Sequence, residues 1–336
     1  MNFDLDSDQL SFAAAARDFF SAQGGQATAR RMLDDQDALP APGAKALADI
    51  GFLGITVPEN CGGAGRGLLD LAVVAEQGGR YLCAPSLSTA ARSAVLLQGC
   101  APQLRALADG STAFAVLDGS PSGSVPSLDA QWATAFLALD GDALVLGAAD
   151  ISAGPHVDAT RGLATATLTT SALLRHDAGA LWATARNAAL VVLAAEDLGA
   201  ATQALEVSVD YVKLRQAFGR PVGSYQAIKH ALVEVFSELE QLRSLVWWAA
   251  WAADNAPAEL PLAAAAAAAH AARTFDLAAE TAIQVHGGIG FTWEHDAHLY
   301  WRRAKVDRLV LGDEATHLDN AAKLALSGHL TSRTTR

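Results

Sequence analysis

A chain of 336 residues, 51% of them hydrophobic, has ample material for a large buried core and suggests about two domains. The formal net charge of −12 argues against nucleic acid, whose phosphates call for clustered Lys and Arg, but not against a nucleotide cofactor held by a local pocket. Three cysteines, Cys61, Cys83 and Cys100, are odd in number and lack C-x-x-C spacing, which argues against a disulfide framework or a zinc site and for reduced thiols in a cytoplasmic protein.

The first residues, Met1 to Asp6, are acidic and have no basic stretch before an apolar run, so they do not read as a secretory leader. Residues 1–110 read as a helical domain. Phe12, Ala15, Ala16, Phe19 and Phe20 recur at helical spacing. Pro58 and the run Gly62-Gly63-Ala64-Gly65 break the chain into a loop, and a second helix from Leu68 to Gln77 is expected to end at Gly78-Gly79.

Residues 111–180 change texture and read as a small β-domain. Short apolar runs at Phe114–Leu117, Ala133–Leu137 and Ala143–Leu146 are separated by turn residues, with Asp140-Gly141-Asp142 as a hairpin signal. Thr165 to Thr170 alternates Thr with Ala and Leu. Residues 181–336 return to long helices: Val191 to Lys213, Gln226 to Asp254 and Leu262 to His286, with Pro257 between the last two. Such lengths with short joints predict a four-helix bundle. The run Leu260 to Ala269 is too short and too alanine-rich to span a bilayer, so no membrane is expected.

Three stretches carry candidate chemistry. Arg215-Gln216-Ala217-Phe218-Gly219, followed by Gln226, offers a guanidinium fork suited to a diphosphate beside an aromatic face. Alone it is equally a helix end that happens to hold an arginine. Gln284-Val285-His286-Gly287-Gly288-Ile289-Gly290 offers glycines that let a ligand approach the backbone and an amide suited to an adenine edge. Alone it is a helix stop and a glycine turn, and it is no Rossmann fingerprint because no strand precedes it. Tyr300-Trp301-Arg302-Arg303-Ala304-Lys305 alone reads as a solvated basic helix face. His286, His295 and His298 read as loop and surface residues without metal-site spacing. Trp247, Trp248 and Trp251 read as core or interface.

Taken together and in this order, the three stretches resemble the C-terminal domain of acyl-CoA dehydrogenases. There an R-x-x-F-G and a Q-x-x-G-G-x-G motif reach across a dimer interface to the diphosphate and adenine of FAD. The resemblance implies that Arg215, Phe218, Gln226, Gln284, Gly287 and Gly288 contact FAD, and that Arg302 to Lys305 match the family's R-D-A-K segment. The run Leu47 to Ile55 with Pro58-Glu59 and Gly62-Gly63 is also similar to the family's N-terminal pattern. The implied fold is α+β and multi-domain: an N-terminal helical domain, a shortened middle β-domain and a C-terminal four-helix bundle.

The resemblance fails in the middle and at the base. Val116 to Ser124 stands where the family has T-E-P-x-x-G-S-D, and the W-I-T-N motif is missing. The two places where the family carries its catalytic carboxylate fall on Leu311 and Ala189, and neither side chain takes a proton. Asp313 and Glu314, or Glu196 and Asp197, remain as relocated bases, although a small displacement is already costly in catalysis. Asp313 and Glu314 also suit the opening turn of a helix. The pattern resembles the short, degenerate subunit of heteromeric α2β2 bacterial acyl-CoA dehydrogenases, known for CoA thioesters of steroid side chains. This implies a full-length partner subunit that supplies the base, an acyl-CoA substrate and an electron-transferring flavoprotein as acceptor. The alternatives are a self-sufficient, homo-oligomeric dehydrogenase using Glu314 or Asp313, and a flavin-free structural or regulatory subunit.

Overall fold

The computed structural model describes residues 5–35, 40, 42–119, 121 and 125–329. Residues 122–124 and Ser120, part of the degenerate middle motif, lie outside the described residues, as do Met1 to Asp4 and residues 330–336.

The chain opens with helices α1 (Ser7–Ala22), α2 (Gly25–Asp34), α3 (Gly43–Asp49), α4 (Leu68–Arg80), α5 (Leu87–Leu96) and α6 (Ala101–Ala108). Asp6 and Gln9 start α1 with a reciprocal capping box that satisfies two orphan amides. Phe20 of α1 is buried against Phe52, beside Phe19. Strands β1 (Phe114–Leu117), β2 (Ala135–Asp140), β3 (Ala143–Ala153) and β4 (Ala164–Arg175) follow, paired in that order. The first pair is parallel and the others antiparallel, with the β2–β3 hairpin turning at Gly141, φ +61°. The last part holds α7 (Gly179–Leu214), a two-residue hairpin (Gln216–Ala217 with Arg220–Pro221), α8 (Gln226–Asn255), α9 (Leu260–His286), α10 (Ala297–Asp307) and α11 (Glu314–Leu324). Helices α7, α8 and α9 pack on one another, and α11 closes on α9.

Helix α4 does not stop at Gly78-Gly79; it runs through them to Arg80. The glycines serve a helix crossing. A Cβ on Gly79 would stand 1.9 Å from the Glu196 carbonyl oxygen of α7, and one on Gly199 of α7 would stand 1.7 Å from the Glu76 carbonyl oxygen of α4. Two backbones meet there, and any side chain would force them apart. The centre of α7 is accordingly buried from Ala188 to Ala201. Its length and hydropathy would suit a bilayer, yet 89% of the apolar window lies inside the protein, the mark of a core helix.

A buried set of charges bolts the three parts together. Arg161, fully buried in the turn between β3 and β4, donates through Nε to Asp307 at the end of α10 (2.7 Å) and through a terminal nitrogen to Glu196 of α7 (2.6 Å); its other terminal nitrogen also donates to Asp307. Glu196 further accepts from the Leu87 amide (2.7 Å) and the Ser86 hydroxyl (2.9 Å) at the start of α5. Burial and the neighbouring Asp307, through its charge and a side-chain hydrogen bond, push the Asp197 carboxyl well above the usual range. Arg303 of α10 forms a second bolt: it donates to Asp158 (2.5 Å) and to the carbonyls of Leu82 (3.3 Å) and Cys83 (3.4 Å). Arg303 and Tyr300 are buried, so the basic stretch of α10 is not the solvated face its composition indicates; its arginine faces inward because the β-domain offers a buried carboxylate. Trp247 is buried and Trp248 and Trp251 pack on the core, as expected of core residues.

Candidate functional site

The two candidate cofactor motifs, far apart in sequence, start from one point. Tyr211, one turn before Arg215 on α7, donates its hydroxyl to the carbonyl of His286 (3.4 Å), the residue directly before Gly287. The Tyr211 and His286 rings stack with centroids 4.3 Å apart, and His295 stacks on His286 from the next loop at 4.2 Å. His286 is therefore not a loop residue: it is 3% exposed and ends α9. Burial lowers its pKa, and the neutral ring donates Nδ1–H to the Ala282 carbonyl at 2.6 Å.

From this anchor the motifs open outward. After α7 ends, Phe218 takes φ +53° and Gly219 φ +79°, forming the tight hairpin whose far strand leads to Tyr225. Tyr225 braces the hairpin, donating its hydroxyl to the Ala217 carbonyl (3.2 Å) under the Arg220 guanidinium, 4.0 Å from its ring. Gln226 then begins α8. The unfavourable φ of Phe218 drives its ring into the open: it is 97% exposed, with Leu214 at 81% and Phe291 at 83%. Arg215, Gln226, Gln284, Gly287 and Gly288 are all exposed, and among the described residues the side chains of Arg215, Gln226 and Gln284 make no hydrogen bond or ion pair.

These features fit a dinucleotide approached from outside the chain. Gly287 has φ +63°, and a Cβ there or on Gly288 would meet no atom of this chain within 4 Å. Nothing inside the chain asks for two glycines there except the turn at Gly287; they leave bare backbone for a neighbour. Arg215 keeps its full donor fork, and the amides of Gln226 and Gln284 remain unspent. Exposed apolar side chains beside free polar ones are the composition of a surface completed by another body.

The base positions tell a different story. Leu311 takes φ +59° between α10 and α11 and lines a cleft of ≈ 520 Å³ between the β-domain and the bundle. Its walls include Leu128, Val157 and Leu163 on one side and Val306, Leu309 and Val310 on the other. Ala189 lies inside α7, 1% exposed, with its carbonyl accepting from Ser88 (2.8 Å). Among the described residues the cleft's one carboxylate is Asp118, and Arg92 holds it by two hydrogen bonds of 2.9 and 2.5 Å. The substitute bases stand elsewhere. Asp313 caps α11, accepting from the Thr316 hydroxyl (2.5 Å) and the Thr316 amide (2.8 Å), which in that order lower its pKa, and Glu314 follows in the first helical turn. Neither lines the cleft, nor do Glu196 and Asp197, which are buried in the bolt around Arg161.

Three residues of this region escape the sequence reading: Tyr211, His286 and Arg186. An aromatic one turn before the motif arginine is a usable signal for the first. Arg186, which lines the cleft and donates to the Leu311 carbonyl, carries no local signal.

Two family profiles match most of the chain. The profile of the acyl-CoA dehydrogenase N-terminal domain matches residues 6–104, and that of the acyl-CoA dehydrogenase C-terminal domain residues 180–326. The chain is 35% identical over 274 residues to acyl-CoA dehydrogenase IpdE2 of Mycobacterium tuberculosis, covering 76% of this chain and 77% of that protein. It is 34% identical over 300 residues to acyl-CoA dehydrogenase FadE34 of the same organism, covering 84% of this chain but 42% of that longer protein. Among solved structures, the G363A variant of the Tcur3481-Tcur3483 steroid ACAD superposes with a TM-score of 0.84 at 25% identity, over 96% of this chain and 99% of that one.

Proposed function

Because the chain belongs to the acyl-CoA dehydrogenase family, FAD-dependent oxidoreductases acting on CH–CH bonds, we propose that it is the incomplete subunit of a hetero-oligomeric dehydrogenase. In this reading Arg215 donates its paired N–H groups to the diphosphate of FAD, and Phe218, Gln226 and Gln284 line the adenine side. Gly287 and Gly288 let the cofactor reach the backbone. The flavin supplies the hydride acceptor, and the proton is taken by a carboxylate of the partner subunit, in an α2β2 assembly.

The observation that carries the proposal is a mismatch within one chain. The residues we assign to the cofactor's tail are exposed and unspent, while the cleft at Leu311, in this reading the place for a base, holds among the described residues only a paired Asp118. Length supports it too: the part of FadE34 outside the match is longer than the matched 300 residues, which leaves room for a second unit of this size. A steroid side-chain CoA thioester is the substrate class we favour, on the likeness to the Tcur3481-Tcur3483 steroid ACAD. The electron acceptor in this reading is an electron-transferring flavoprotein.

The test is a visible spectrum of the chain expressed alone and together with a full-length homologue encoded beside it. Flavin should appear only on co-expression and bleach with an acyl-CoA. A yellow chain that bleaches on its own would instead establish a self-sufficient enzyme, and a colourless one in both cases a structural subunit.

A further inference from the structure

The cleft that lacks a base has a cation to spare. Arg186 lines the cleft together with Asp118, and Asp118 is held by the buried Arg92. Arg186 comes from α7, half-buried, and spends one terminal nitrogen on the Leu311 carbonyl. Among the described residues no carboxylate lies within salt-bridge distance of it. Burial lowers its pKa, with the Asp118 charge working against that and the nearby Arg92 adding to it. The other cation at the cleft, Lys305, is balanced by Asp276 and by Glu280 at 2.8 Å. The remaining lining is almost wholly apolar.

We propose that this cleft is a non-catalytic binding site for an amphiphile with an apolar body and a single carboxylate, the carboxylate pairing with Arg186 and the body lying between Val157, Leu163 and Val306. The volume of ≈ 520 Å³ falls in the range that holds small organic ligands. One unpaired guanidinium matches one carboxylate in a bidentate pair, whereas a phosphate monoester brings more charge than Arg186 alone can meet. With no free base against it, a bound acid leaves unchanged. The site is distinct from the exposed cofactor motifs, and its test involves no flavin.

Calorimetric titration of the full chain, with its partner subunit if the two purify together, decides it. Decanoate is the probe and decanamide its neutral counterpart. Decanoate should bind at least about ten-fold more tightly than decanamide, as for one charge-assisted pair. Arg186→Gln should remove that preference, Arg186→Lys should keep part of it, and Val306→Trp should weaken both probes by filling the cleft. Equal affinity for the two probes overturns the proposal, as does unchanged decanoate binding in well-folded Arg186→Gln or Val306→Trp.

Discussion

Replacing Arg161 by Met removes the cation from the bolt and keeps most of its volume. Glu196 and Asp307, 1% and 4% exposed, then remain buried with no positive partner among the described residues, beside Asp197, whose pKa burial raises. Breaking a buried pair from one side costs about 3–5 kcal/mol, because the stranded charge keeps its desolvation penalty. Here one residue strands two carboxylates, so the upper end applies at pH 8. Glu196 still has the Leu87 amide and the Ser86 hydroxyl, which prevents the two costs from adding in full. A stranded carboxylate takes up a proton more readily in the folded chain than in the unfolded one. The variant's deficit therefore shrinks as the pH falls from 8 to 5. Urea unfolding followed by tryptophan fluorescence at both pH values measures it. The triple variant Arg161→Met, Glu196→Gln, Asp307→Asn should recover most of the loss, since it leaves no charge behind. A loss under about 1 kcal/mol at pH 8, or one that grows on acidification, would refute the reasoning.

Arg215→Ala should weaken FAD retention in the co-expressed complex by about ten- to a hundred-fold, the worth of a charge-assisted hydrogen bond, without changing the melting temperature of the chain; equilibrium dialysis against free FAD reads it. Tyr211→Ala should weaken retention too, although Tyr211 lines no exposed motif, because it ties Arg215 to Gly287; full retention would show that the tie is dispensable. Burial pushes the carboxyl of Asp129 up to about 7 despite hydrogen bonds from Thr89 and the Ser86 amide. The stability this group contributes is present below its unfolded pKa near 3.8 and is lost as the pH rises through 7, so Asp129→Asn should flatten the stability profile between about pH 4 and 7. Gly199→Ala should destabilise by about 1–3 kcal/mol or more, as overpacking at a backbone contact does; a thermal melt matching the parent would mean that α4 and α7 part freely.

The long helices were legible because their signals are local: uninterrupted apolar periodicity from Gln226 onward, and Pro257 between α8 and α9. The hairpin at Gly141 was legible for the same reason. The end of α4 was not, since Gly78-Gly79 reads as a stop until the partner helix is known to lie against it. Arg215 and Gln284, singled out by side-chain type, stand exposed with their polar groups unspent, and Leu311 lines the cleft. His286 was misread as a loop residue, because its burial depends on Tyr211, 75 positions away. Nor could the bolt be foreseen. Arg161 sits in an ordinary polar turn, and Glu196 and Asp307 lie 35 and 146 positions further on, so each charge alone reads as solvated.

That spacing bears on how the chain comes to be folded during synthesis. Arg161 leaves the ribosome before Glu196, and Asp307 follows only after α7, α8 and α9 have been made. Until then the guanidinium lacks the carboxylate that meets two of its three nitrogens and stays better solvated in water than in a half-built core. Final docking of the β-domain onto the bundle is thus deferred until α10 arrives. A nascent chain stalled before α10 would expose the faces that the bolt later seals, and would be the form that chaperones and proteases meet.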